Sequence, residues 1–73
     1  MKIVDNWKDH EELYWTVEIS KGKFVDVKQT ETGFIYIMQN NDGLEIYDKD
    51  GNTYDELTKE LEDEIIDLIE REI

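Results

Sequence analysis

Hydrophobic and polar positions change period along this chain, and the change divides it into two kinds of structure. Leu13, Trp15, Val17 and Ile19 alternate with Tyr14, Thr16 and Glu18, the period-2 pattern of a strand with one buried face. Phe24 to Lys28 repeats the alternation, with Val25 and Val27 on one side. Phe34 to Met38 is apolar on both sides, which predicts the central, most buried strand. Leu44 to Tyr47 reads as a short fourth strand, and Thr53-Tyr54 as a brief continuation of pairing. Between these runs lie Ser20 to Lys23, Thr30 to Gly33, Asn40 to Gly43 and Asp48 to Asn52, where Gly, Asn and Asp supply turn conformations. Strands at such regular spacing, joined by short turns, predict an antiparallel meander.

Beyond residue 54 the period becomes helical. Leu57, Leu61, Ile65, Leu68 and Ile69 form one apolar stripe, the signature of an amphipathic helix. Thr53 or Asp55 is placed to cap it, with Asp55 and Glu56 favourable in its first turn. The predicted helix covers about residues 55–72. Residues 1–12 show neither period; Met1 to Asp5 fits an edge strand and Trp7 to Leu13 a helical turn. The expected fold is therefore α+β: one domain over residues 1–73, with a four-stranded antiparallel meander (about 13–54) and a C-terminal helix on one sheet face.

Composition narrows what such a domain does. Seventy-three residues suffice for one small core, and with no cysteine neither a disulfide nor a thiolate site exists. Charge begins at Lys2, before any signal-peptide apolar stretch forms. The longest apolar run, Phe34 to Met38, falls far short of the ~20 residues that cross a bilayer. A soluble protein in a reducing cytoplasm is the expectation. Hydrophobic residues make up 38% of the chain and are periodic, which argues for a folded domain over a disordered one.

Net charge alters the picture most. Twenty acids and eight bases give −12, which repels nucleic acid and anionic membranes and attracts basic surfaces. Residues 1–41 hold seven acids and five lysines, whereas residues 42–73 hold thirteen acids against Lys49, Lys59 and Arg71. On a helix, Glu56, Glu60, Asp63, Asp67 and Glu70 fall within a band of about 80° opposite the apolar stripe. Asp42, Glu45, Asp48, Asp50 and Asp55 are expected to supply a second row near the helix start. A solvated helix face ordinarily mixes signs in i, i+4 pairs. Acids also continue to Glu70 and Glu72, where the helix dipole disfavours them. These ten carboxylates are the predicted partner-binding residues.

Catalytic and metal motifs fare less well. His10, the single histidine, sits in a polar stretch with no second catalytic feature beside it. Asp48 to Asn52 resembles a calcium loop, but its glycine comes at position 4 where position 6 is required. No glycine-rich phosphate loop occurs. The expectation is a non-enzymatic domain without cofactor or metal. Trp7, Tyr14, Trp15, Tyr36, Tyr47 and Tyr54 divide between core and interface roles, since base stacking needs a positive groove. Ile66, Ile69 and Ile73 flank the helix stripe, widening the core contact or forming a seam for a partner or a homodimer.

In size, acidity and helix-plus-sheet build, the chain resembles the small inhibitors encoded by phages and mobile elements: anti-CRISPR proteins, uracil-DNA glycosylase inhibitors and restriction inhibitors that mimic DNA. The resemblance is one of general character. It implies that residues 42–72 occupy the basic nucleic-acid channel of a host defence or DNA-processing protein, carboxylates standing in for phosphates. An antitoxin, immunity protein or small assembly subunit, binding through apolar contacts at Trp7, Trp15 or Ile66, is the alternative.

Overall fold

Residues 1–73 are described by a computed structural model. Its strands are β1 (Lys2–Asp9), β2 (Glu12–Ser20), β3 (Lys23–Gln29), β4 (Ile35–Ile37), β5 (Ile46–Tyr47) and β6 (Thr53–Tyr54), followed by helix α1 (Lys59–Glu72). All pairings are antiparallel, in the order β1-β2-β3-β5-β6, with β4 also paired to β3. β4 meets Val27 to Gln29 and β5 meets Phe24, so the two short strands share one edge of β3. The α+β architecture with a C-terminal helix on an antiparallel sheet is as expected, with six strands in place of four.

Three features differ from the sequence expectation, each for a physical reason. Met1 to Asp5 opens an edge strand as expected, but that strand runs on to Asp9, so Trp7 to Leu13 is strand, turn and strand and not a helical turn. β1 is exposed along almost its whole length, with only Ile3 half-buried, so selection for burial left no alternation to read. Its partner register runs from Lys2↔Glu18 to Asp9↔Glu12, which closes a two-residue turn of His10 and Glu11. Both have positive φ, 50° and 70°, as a type I′ hairpin turn requires.

Phe34 to Met38 is not the central strand. β4 is three residues long and half-buried, while Phe34 is 64% exposed. The centre belongs to β2 and β3, whose Trp15, Val17, Val25 and Val27 are buried. The helix, third, begins at Lys59 and not at Asp55. Thr53 and Tyr54 stay extended to pair with β5, and the link that follows brings Leu57 against the core. Thr58 is the N-cap: it has extended backbone and its hydroxyl accepts from the Leu61 N–H at 3.1 Å.

Seven residues make the core: Trp15, Val17, Val25, Val27, Ile46, Ile65 and Ile69. Ile3, Leu13, Ile35, Ile37, Leu57, Leu61 and Leu68 pack around it. Ile65 and Ile69 are one helical turn apart, so both point into the same sheet face. No polar side chain is buried. The free edge of β1 is blunted by a bulge between Ile3 and Asp5 and by its charged residues, devices that discourage edge-to-edge pairing.

Candidate functional site

Burying Ile65 and Ile69 fixes the rotation of α1 and sends its acids outward. Glu60, Asp63, Asp67 and Glu70 are all exposed, on the side opposite the buried isoleucines. Their span of ten residues covers about 15 Å of helix axis. Glu64 and Glu72 are exposed as well, and Glu62 is half-buried. Glu56, expected in the same row, precedes the helix; its carboxylate meets the Lys23 ammonium at 2.7 Å, and the same ammonium lies 4.3 Å from the Tyr54 ring centre.

Signs mix more on the helix than the spacing of its acids alone suggests. Lys59 reaches Asp63 at 3.2 Å and Glu62 at 3.6 Å, and the Asp63 hydrogen bond raises the Lys59 pKa above its ordinary value. Arg71 meets Asp67 at 3.2 Å and answers part of the acidity at the helix C-terminus. Exposed i, i+4 pairs of this kind stabilise by only ~0.3–0.5 kcal/mol. Glu60 and Glu70 have no cationic partner within salt-bridge distance. These two carboxylates, with Glu64 beside them, bear charge that nothing in the fold uses.

The turn acids have local work. Asp48 organises its own turn: its carboxylate accepts from the backbone N–H groups of Asp50 and Asn52, from the Asn52 amide and from the Tyr54 hydroxyl at 2.6 Å. The Tyr54 bond, joined by those from Asn52 and the turn backbone, holds the Asp48 carboxyl down at about 2. Asp42 accepts from the Thr53 hydroxyl and the Leu44 N–H, and the Thr53 bond lowers its pKa. Glu45 accepts from the Gln39 amide at 3.2 Å. Asp50 and Asp55 remain exposed. Of the expected second row, three members are therefore held by turn-stabilising bonds and two point freely to water.

Other candidates resolve more simply. His10 lies on the β1–β2 turn with its side chain 91% exposed, 3.3 Å from Asp9. No group of three or more His, Asp or Glu is arranged to hold a metal ion. Ile69 is core, Ile66 is half-buried, and Ile73 is 64% exposed. Ile73 lines an open groove of about 960 Å³ with Val4, Leu68 and other residues of β1 and the helix end.

Sequence reasoning missed the organisation of the sheet face turned away from the helix. Trp7 pairs with Tyr14, Tyr14 with Lys28, and Lys28 with Tyr36, so these side chains share one face and one row across four strands. Trp7 and Tyr14 stack with centroids 5.2 Å apart and planes 5° apart. Phe34 and Tyr36 stack at 5.7 Å. Between the pairs sits Lys28, whose ammonium is 3.1 Å from Glu12 and 5.6 Å from the Tyr14 ring centre. The signal was present in the residues Tyr14, Lys28 and Tyr36, but it becomes readable only with the strand register.

No protein-family model, no curated protein and no solved structure matches this chain.

Proposed function

We propose that this domain is a non-catalytic binding module that sets its acidic helix face against the basic surface of a nucleic-acid-binding protein. The supporting observation is the row Glu60, Asp63, Asp67 and Glu70: four exposed carboxylates on one helix face, two of them with no cationic partner. Like charges placed together on a compact domain destabilise it, so their retention is accounted for by a partner. Successive members step 4.5–6 Å along the axis at ~1.5 Å per residue, a linear array of negative charge on a rigid rod. Duplex DNA has one phosphate per ~3.4 Å along each strand, so the helix is a sparser version of a phosphate backbone, thickened by Glu64 at its side.

In this reading the domain competes with nucleic acid for a basic channel, the mode of the phage-encoded inhibitors that its general character resembles. Asp67 and Asp63 shed their weak pairs with Arg71 and Lys59 in exchange for lysines and arginines of the partner. Asp50 and Asp55 extend the contact, while Asp42, Glu45 and Asp48 shape the turns that carry them. Recovery of partners from a bacterial lysate, at low and high salt, tests it. A nucleic-acid-binding protein should be held at low salt, released at high salt, displaced by duplex DNA, and lost on charge reversal at Glu60, Asp63 and Asp67. Retention of the same protein by that triple variant contradicts the reading.

A further inference from the structure

We propose that the aromatic row on the outer sheet face, Trp7, Tyr14, Lys28, Tyr36 and Phe34, is a second docking surface, and that it takes an extended, arginine-bearing segment of a protein. It lies on the other side of the sheet from the helix acids and stands independently of their role.

Burial first separates this row from the core. Trp15, the other tryptophan, is 6% exposed and packs under the helix, whereas Trp7 is 42% exposed and Phe34 is 64% exposed. Tyr14 and Tyr36 are half-buried. The helix packs its buried Ile65 and Ile69 against the opposite face, and Trp7 and Phe34 stay exposed. The row is also not scattered surface aromatics: two stacked pairs flank one lysine at consecutive register positions.

Charge then selects the occupant. Around the row, on the same face by register, stand Asp5, Asp9, Glu12, Glu18 and Asp26, against Lys2 and Lys28. Lys2 is already near Glu18 at 3.8 Å and Lys28 near Glu12. A second copy of a chain with net charge −12 meets repulsion there, and nucleic acid more so. A cation is favoured by the excess of five carboxylates over two lysines on this face, and the row already holds one of its own, since the Lys28 ammonium lies 5.6 Å from the Tyr14 ring centre. Arginine fits better than lysine because its planar guanidinium stacks on an aromatic ring while donating to a carboxylate in the same plane. Asp5 and Asp9 flank Trp7 at the β1 end of the row for that purpose.

Geometry sets the spacing. Strands lie about 4.8 Å apart, so the Trp7–Tyr14 pair, astride β1 and β2, is about 12 Å from the β4 pair. An extended chain covers that distance in four residues at about 3.3 Å each. The segment therefore carries arginines at i and i+4, one over each aromatic pair, with Lys28 between them turned toward Glu12.

The probe is a synthetic peptide of about seven residues, with arginines at its second and sixth positions among glycine and serine, titrated into the 15N-labelled protein. The expected result is movement of the Trp7 indole N–H and of the Tyr14, Lys28 and Tyr36 amides, with helix amides still. The double variant Trp7→Ala, Tyr36→Ala should weaken binding at least about tenfold, its fold reported by the near-ultraviolet signal of buried Trp15. Lysine in place of both arginines should weaken it several-fold. Neutralising the helix with Glu60→Gln, Asp63→Asn and Asp67→Asn should leave the sheet shifts in place. Shifts confined to residues 59–72 overturn the proposal, as do equal affinity for the lysine peptide, absence of binding, or concentration-dependent shifts without peptide that reveal self-association through this face.

Discussion

Single residues in the turns carry more of this fold than their exposure suggests. Asp48 ties together a five-residue turn and the strand after it by accepting from two backbone N–H groups, an amide and a phenol. All of those donors favour the ionised form, which is why its pKa falls from 3.8 to about 2. A depressed acid stabilises the fold fully above the unfolded value and ceases to do so as pH falls through the folded value. The stability gap between the wild type and Asp48→Asn should therefore be full above pH 4 and close as pH falls through about 2, measured by urea melts at each pH. Tyr47 works in the opposite direction. Burial, then its hydrogen bond to Asp26 at 2.7 Å, pushes the phenol from 10 to about 12. Its contribution is complete below pH 10 and lost as pH rises through about 12, so Tyr47→Phe should flatten the alkaline limb of the stability curve. The β1–β2 turn has the reverse character. Glu11 has φ of 70°, where a side chain costs ~1–2 kcal/mol. Glu11→Gly should raise stability by about 1 kcal/mol and the melting temperature by ~4–8 °C.

At the scale of elements, the helix is held by few contacts of high value. Ile65 and Ile69 are wholly buried, and truncating either to alanine should cost ~2–5 kcal/mol in denaturant melts. Thr58→Ala removes the cap on the Leu61 N–H and should cost about 1 kcal/mol. The helix was legible in the sequence because its stripe has one period and one buried face. Its start was not, since Asp55 and Thr53 are equally good caps in isolation, and the choice of Thr58 depends on β6 pairing with β5. β2 and β3 were legible for the same reason as the helix. Only the start of β1, Met1 to Asp5, was legible as an edge strand; the rest was not, because a strand exposed on both faces leaves no alternation, and β4 misled because apolar residues on both sides signify burial only when something covers both sides. The candidate acids were legible as charge, while their division into free carboxylates and turn-builders depended on partners such as Tyr54 and Thr53 that sequence distance does not reveal.

For the molecule as a whole, the balance is between a core of seven residues and a net charge of −12. Self-repulsion opposes compaction and is screened by salt, so thermal stability should rise as salt increases from about 10 mM to about 500 mM. The two faces differ in kind: the helix displays carboxylates on one side, and the far side of the sheet displays stacked rings among carboxylates and lysines. No helix is long and apolar enough to cross a membrane. In the proposed function the helix row binds a basic protein surface in competition with nucleic acid. Its most direct measurement is the affinity of the recovered nucleic-acid-binding partner for wild type and for the triple variant Glu60→Lys, Asp63→Lys, Asp67→Lys, with and without duplex DNA. Binding should weaken steeply with salt, be competed by DNA and be abolished in the variant. Affinity unchanged by the three reversals, or indifferent to DNA, would contradict it.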